Sequence, residues 1–139
     1  MTPAKAPLPF LGTWKLAKCE TSHPDVPHPS GGITTMTQGK DAIHYTNDGV
    51  RSDGLTTKVT ADLKLDGSWC PVTGSLIADS LSFRTREDGS FEAKMRKGGA
   101  DVGSTHSTVS PDGRTLTGHW KLAGPGGAII TWTTTSERQ

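Results

Sequence analysis

Turn-forming dipeptides that recur at short intervals constrain this chain more than any other feature of its sequence. Asp-Gly pairs begin at Asp53, Asp66, Asp88 and Asp112, and Gly-Gly pairs lie between and around them. Asp-Gly supplies the positive φ that tight hairpins require. The segments between these turns are about 5 to 10 residues long, which is short for helices and suits β-strands.

The segments between the turns alternate between apolar and polar residues. In residues 58–65, Val59, Ala61, Leu63 and Leu65 share one face of the predicted strand, and polar residues take the other. The same pattern places further residues on the apolar face: Ile43, Tyr45, Leu81, Phe83, Phe91, Ala93, Met95, Leu116, Trp120 and, less regularly, Trp132. A period of two means that one face of the sheet is buried.

These strands predict an all-β fold, a single antiparallel up-and-down β-barrel of about 8 to 10 strands. No amphipathic helical pattern is available to cover the apolar face of the sheet. Closure of the sheet on itself buries that face and removes the exposed edges. We therefore assign residues 1–9 to an N-terminal extension and residues 10–139 to one barrel domain.

Charge and hydropathy limit the partners and the location. Fifteen Lys and Arg against fourteen Asp and Glu give a formal net charge of +1, and no basic stripe is visible, so we expect no nucleic acid partner. No apolar run approaches the ~20 residues that cross a bilayer. The first ten residues have no signal-peptide core, which predicts a cytoplasmic protein, or a periplasmic or secreted one if a targeting segment was removed.

One segment does not follow this pattern of short strands and turns. Residues 20–32 contain three prolines and no apolar periodicity, which predicts a semi-rigid loop lying over the mouth of the barrel. Cys19 and Cys70 are the only cysteines. They are expected to be two buried thiols, with a single disulfide as the alternative.

The opening segment Phe10-Leu11-Gly12-Thr13-Trp14-Lys15-Leu16 resembles the first strand of calycin-superfamily barrels, the lipocalins and fatty-acid-binding proteins. Residues 43–54, 65–74, 97–99 and 109–117 resemble, in order and spacing, a bacterial family of lipocalin-like domains that has no well-defined activity. The resemblance implies that Trp14 closes the base of the barrel and packs under an Arg from the last strand, for which Arg138 is the candidate.

Small barrels bind ligands among inward-facing residues. The candidates for ligand contact are Tyr45, Val59, Leu63, Phe83, Met95, Trp120 and Trp132. If the protein is an enzyme, Tyr45, His106 and Arg84 are the candidate catalytic groups. His106 qualifies only if the face that it shares with Val102 and Ser104 points inward. His44 and His119 are expected to face outward.

Three functions remain open at this point. The first is a lipocalin-like carrier or sensor that binds a small, largely apolar molecule. The second is an enzyme using the same cavity without a cofactor, such as a cyclase, isomerase or lyase of specialised metabolism. The third is a barrel with a filled core that acts through its surface. We expect no cofactor and no metal, although His23 and His28 flank Asp25 in the proline-rich loop. The barrel is expected to be a monomer or a homodimer.

Overall fold

A computed structural model describes residues 8–139 of the chain, except for the side chain of Pro125. The strands form one closed barrel, and each strand pairs antiparallel with its neighbours along the chain. The strands are β1 (Gly12–Thr21), β2 (Pro29–Gln38), β3 (Ile43–Arg51), β4 (Thr56–Leu63), β5 (Asp66–Thr73), β6 (Ser80–Thr85), β7 (Phe91–Lys97), β8 (Ala100–Val109), β9 (Thr115–Ala123) and β10 (Ile129–Arg138). A short 3-10 turn at Pro125–Gly127 precedes β10.

The barrel closes through β1, which pairs with both β2 and β10. Its most weakly paired junction is β4 with β5, where only Thr60 with Thr73 and Ala61 with Val72 are in register. Among residues 8–139, no helix is long and apolar enough to span a membrane. The predicted up-and-down barrel is therefore confirmed, with ten strands. Most of the predicted N-terminal extension, residues 1–7, lies outside the described residues.

The meander places alternate turns at opposite ends of the barrel. We call the end that carries the turns after β1, β3, β5, β7 and β9 the mouth, and the opposite end the base. Three Asp-Gly pairs form turns with the backbone that the sequence predicts, with φ of 89° at Gly54, 84° at Gly89 and 74° at Gly113. Glycine pays no steric cost there because it has no Cβ. The pair Asp48-Gly49, which the same rule predicts to be a turn, instead lies inside β3.

The base is closed by aromatic side chains. The chain has three phenylalanines, and Phe10, Phe83 and Phe91 meet there with ring centroids 4.8 to 5.6 Å apart. Trp14 is almost completely buried beside them, and its indole N–H donates to the Phe10 carbonyl at 2.8 Å. These contacts close one end of the core before any ligand is considered.

Arg138 seals the base from outside. Its guanidinium lies 4.3 Å from the centre of the Trp14 ring. It donates to the carbonyls of Pro9, Leu11 and Gly113, each at 2.7 Å. The expected pairing of Trp14 with an arginine of the last strand is confirmed.

Four register shifts interrupt the alternation that the sequence displays, in β1, β2, β5 and β8, and the shifts in β1 and β8 change the facing of residues near the site. Leu16 and Lys18 of β1 face Ser136 and Thr135, so Ala17 is an extra residue. Met95 and Arg96 of β7 face Gly103 and Asp101, so Val102 of β8 is another. Each bulge exchanges the inward and outward faces of the residues that follow it.

The proline-rich segment is a much shorter loop than residues 20–32. Glu20 and Thr21 belong to β1, and β2 already begins at Pro29, which leaves residues 22–28 as the loop. The prediction of a long loop was wrong because Pro29 stands at the first position of its strand, where a missing N–H costs no ladder hydrogen bond.

Candidate ligand-binding site in the barrel interior

A second apolar cluster lies toward the mouth, separate from the phenylalanine cluster of the base. Its buried members are Ala78, Met95, Leu122, Ile130 and Trp132, and Cys19, Val26, Leu81, Val102 and Trp120 pack against it while partly exposed. This mouth cluster is built from the ends of β1 and β6 to β10 that lie toward the mouth, together with the 22–28 loop.

The indole N–H of Trp132 is the one buried side-chain donor or acceptor without a hydrogen-bond partner in the described part of the chain. Trp132 is only 6% exposed, so water cannot readily satisfy this group. A buried donor left unpaired costs about 1–3 kcal/mol. Such a group therefore calls for an acceptor that the protein itself does not supply.

The neighbouring Trp120 provides the contrast. It pairs directly with Trp132 across β9 and β10, and the two ring centroids are 6.1 Å apart. Its own N–H donates to the Thr134 hydroxyl at 3.1 Å. Gly118 makes this bond possible, because a Cβ at position 118 would lie 2.9 Å from the Trp120 nitrogen and 2.8 Å from the Thr134 hydroxyl oxygen.

Tyr45 lies on the opposite wall, on β3, among uncharged polar groups. The hydroxyl of Thr34 lies near its phenol and accepts a 2.7 Å bond from the Asn47 amide. Burial raises the pKa of Tyr45 to about 12, and the neighbouring Thr34 hydroxyl opposes that shift. The phenol therefore stays protonated at neutral pH and can donate or accept a hydrogen bond.

Inward-facing residues in the middle of the barrel are less completely buried than those near the base. Leu16, Tyr45, Val59 and Trp120 point inward by register, yet each retains partial exposure. By contrast Trp14, Ile43 and Leu63 near the base are at most 2% exposed.

The interior carries no charged side chain between its two ends, within residues 8–139. Three cations stand at inward-facing strand positions, and all three lie at the ends. Arg51 at the mouth is bound to Asp53 of the following turn, Lys97 at the mouth donates to the Leu76 carbonyl, and Arg138 seals the base. The wall between them is apolar, hydroxyl or amide in character.

The 22–28 loop covers part of the mouth. Val26 inserts into the mouth cluster. The loop is tied to the turn after β3, because the Ser52 N–H donates to the His28 carbonyl at 2.8 Å and the His28 N–H donates to the Ser52 hydroxyl at 3.1 Å. On its other side, the Ser22 N–H donates to the Thr131 carbonyl.

The residues that the sequence suggested for ligand contact all face the interior, but at different depths. Leu63 and Phe83 belong to the base cluster, and Met95, Trp120 and Trp132 belong to or border the mouth cluster. Tyr45 and Val59 lie on the wall between. The structure therefore brings Met95, Trp120 and Trp132 together and separates them from the buried base residues.

Two of the three candidate catalytic residues lie on the outer surface. The bulge at Val102 turns Thr105 and Ser107 inward, where they are buried, and turns His106 outward. His106 stands between Glu92 and His119 in the ladder, in a surface groove of about 460 Å³ over β7 to β10. The condition that His106 faces inward is therefore not met, whereas His44 and His119 face outward as expected.

Arg84 also points away from the interior, toward the turn before β5. It is exposed, and its guanidinium donates to the Asp66 carbonyl at 3.2 Å. It lies against Gly67, where a Cβ would meet the guanidinium at 2.6 Å. This contact gives Arg84 a structural role at the base, remote from Tyr45.

Sequence reasoning missed Cys19, Val26 and Thr134 as groups near the interior. Cys19 points inward only because the bulge at Ala17 shifts the alternation. Burial raises the pKa of its thiol to about 11, with a smaller contribution from the Glu20 carboxylate.

Cys19 and Cys70 are free thiols, as expected. In the described part of the chain, no group of His, Cys, Asp or Glu side chains has the arrangement of a metal site.

Comparison with known proteins identifies the fold. No protein-family model matches the sequence, and no curated protein matches it significantly. Among solved structures, the zebrafish ileal bile acid-binding protein, solved with cholic acid, is similar at a TM-score of 0.60 and 12% identity, over 94% of this chain and 99% of that one. The S-type phycobiliprotein lyase CPES from Guillardia theta is similar at 0.58 and 12%, over 94% and 89%. Rv2717c from M. tuberculosis is similar at 0.57 and 16%, over 96% and 98%.

These similarities show that the chain shares a closed β-barrel fold with these three proteins. The fold predicted from Gly12-Thr13-Trp14 and the recurring turns is thereby confirmed. Because the identities are low, the similarity extends to the fold alone.

Proposed function

We propose that this protein binds a small, largely apolar molecule in the interior of its barrel and acts as a carrier or sensor for it. The observation that carries the proposal is the unpartnered indole N–H of Trp132, which is buried beside Trp120 in the mouth cluster. A hydrogen-bond acceptor on a ligand would satisfy this donor.

The energetics favour an apolar ligand. Burying apolar surface contributes about 25 cal/mol per Å², and the interior wall offers Leu16, Val59, Met95 and the two tryptophan rings. One hydrogen bond then fixes the orientation of the ligand, as is typical of pockets with few polar groups. The similarity of the fold to a bile acid-binding barrel is consistent with this use of the interior.

The enzyme alternative has less support. Of the three candidate catalytic groups only Tyr45 faces the interior, and its pKa of about 12 leaves it protonated at neutral pH. Cys19, another titratable group near the interior, has a raised pKa as well. A proton-transfer reaction at neutral pH needs a group that titrates nearby, so we favour binding without catalysis.

The test is a titration with N-phenyl-1-naphthylamine, an uncharged apolar dye that fluoresces in apolar surroundings. We expect saturable binding with one site per chain. Met95→Lys, which puts an unpaired charge into the mouth cluster, should abolish binding, provided that circular dichroism shows an intact barrel. Trp69→Phe is the matched control, because Trp69 lies on the outer surface against Arg96. Binding by neither the wild type nor the control would overturn the proposal.

A further inference from the structure

We infer that the ligand of the interior site is uncharged and presents an oxygen acceptor, such as a ketone, ester or amide carbonyl, to the indole N–H of Trp132. This inference rests on the proposed function and specifies the chemical class of the ligand. It is carried by two independent observations, the absence of charge on the interior wall and the single donor that lacks a partner.

The lack of charged side chains on the interior wall excludes ionised ligands. Among the described residues, the inward-facing positions between the ends of the barrel carry only apolar, hydroxyl, amide, thiol, indole and phenol groups. A carboxylate moved into such surroundings loses its hydration without gaining a cation, and it shifts its pKa upward or stays outside. A cationic ligand meets the same penalty, because no carboxylate faces the interior there.

Of the three cations at the ends of the barrel, Lys97 donates to the Leu76 carbonyl and is exposed at the mouth, where water screens its attraction for a carboxylate. The other two are held by groups of the protein. Arg51 forms hydrogen bonds to both carboxylate oxygens of Asp53. Arg138 uses its donors on three backbone carbonyls at the base. A carboxylate entering from the mouth would have to displace Asp53 from Arg51, and it could not reach Arg138 past the phenylalanine cluster.

The side-chain donors that already have partners indicate where the acceptor of the ligand lies. Trp120 is already bound to Thr134, and Asn47 to Thr34, so their donors are occupied. Trp132 belongs to the mouth cluster, so the carbonyl of the ligand lies toward the mouth. Its apolar part extends toward Val59 and Tyr45, because the base beyond them is closed.

The inference is tested by a matched pair of competitors, methyl decanoate and decanoate, displacing N-phenyl-1-naphthylamine from the wild-type protein at about pH 8. The two molecules share a chain and differ in charge. We expect the ester to compete at a concentration at least about tenfold lower, a difference of ~1.4 kcal/mol. Lowering the pH to about 5, near the pKa of the acid, should tighten the binding of decanoate and leave the binding of the ester unchanged. The ester thereby controls for any effect of pH on the protein itself.

A second variant tests the role of the indole N–H. Trp132→Phe keeps an aromatic ring and removes the donor, and it should weaken the ester by about five- to tenfold, the equivalent of one hydrogen bond. The weakening of the dye should be smaller, because the dye has no carbonyl. Trp120→Phe makes the same change of ring in the wall but removes a donor that is already bound to Thr134, so it should weaken the binding of ester and dye to the same extent.

The outcomes separate the two proposals. If the dye binds but decanoate competes as well as the ester at about pH 8, the inference is overturned and the binding function stands. An equal loss of ester and dye affinity in Trp132→Phe would remove the hydrogen bond from the inference. If no uncharged apolar probe binds at all, the proposed function itself fails.

Discussion

Each end of this barrel contains a buried tryptophan, but the hydrogen-bonding groups at the two ends are satisfied to different degrees. At the base, Trp14 donates its N–H to a carbonyl and lies under Arg138, and three phenylalanines fill the space beside it. At the mouth, Trp132 is also buried in an apolar cluster, against which Val26 of the seven-residue loop packs, but its N–H has no partner. The base therefore stabilises the fold, and under the proposed function the mouth receives the ligand.

The barrel combines a stabilising base with an unpaired hydrogen-bond donor, the N–H of Trp132, at the mouth. The base holds large rings in contact on several sides, which contributes dispersion and apolar burial. That stability tolerates an unsatisfied donor at the other end, which would cost about 1–3 kcal/mol. Variants at the two ends should therefore affect different properties.

The largest effect is expected from Phe83→Ala at the base. Phe83 is 3% exposed and contacts both other phenylalanines. Its removal should lower the free energy of unfolding by about 3–5 kcal/mol, measured by urea denaturation. Phe83→Leu, which keeps most of the volume, should cost clearly less. A loss below about 1 kcal/mol for the alanine variant would contradict the assignment of the base as the stabilising end.

The next effect is expected from Arg138→Ala. The variant loses three hydrogen bonds to carbonyls and the contact with the Trp14 ring, and we expect a loss of about 2 kcal/mol, discounted because Arg138 is exposed to solvent. Arg138→Lys should recover only part of this loss, because an ammonium lacks the planar fork of the guanidinium. Equal stabilities of the alanine and lysine variants would show that the fork is unimportant. Dye binding at the mouth should be unchanged in both.

Alkaline titration tests the burial of Tyr45 without any substitution. Tyr45 is the only tyrosine, so the absorbance of the phenolate reports on it alone. In the folded protein its midpoint should lie near pH 12, against about 10 for the chain unfolded in urea. A folded midpoint near 10 would mean that the phenol is hydrated and would contradict a dry wall at this position.

The same shifts predict how stability depends on pH. A raised folded-state pKa of an acid means that the folded protein holds its proton longer than the unfolded chain. This stabilisation is fully present below the unfolded pKa and is lost as the pH rises. For Cys19 the loss falls between about pH 9 and 11, and for Tyr45 between about pH 10 and 12. Cys19→Ala should flatten the first part of the decline, measured as urea midpoints, whereas Lys18→Ala on the outer face should not.

The smallest effect is expected from Ser52→Ala at the mouth. The variant removes the hydroxyl that accepts from the His28 N–H, while the backbone bond from Ser52 to His28 remains. We expect a stability loss of about 0.5–1 kcal/mol and faster release of the dye in stopped-flow measurements. Ser30→Ala, which removes a comparable exposed bond to the Val50 carbonyl outside the loop, is the control. Equal release rates in both variants would show that the loop does not limit exchange.

Much of the fold could be predicted because it depends on local patterns. The alternation of Val59, Ala61 and Leu63 defines a buried face, and the Asp-Gly turns define where strands end. The inward assignments of Tyr45, Met95 and Trp120 followed from the same rule and held. The site was predicted less well, because His106 lies beyond a bulge and because Arg84 was made a catalytic candidate although the alternation puts it on the polar face, opposite Leu81 and Phe83.

The sequence by itself determined the class of fold, the strand alternation, the closure of the base by Trp14 and Arg138, and the candidates Trp120 and Trp132. Only the tertiary structure decided that Ala17 and Val102 are extra residues in their ladders, that Cys19 and Thr105 therefore point inward, and that Trp132 is left without a hydrogen-bond partner. The physical reason is that turns and alternation depend on neighbours along the chain. A bulge or an unpaired donor depends on which residues of other strands the closed barrel brings opposite.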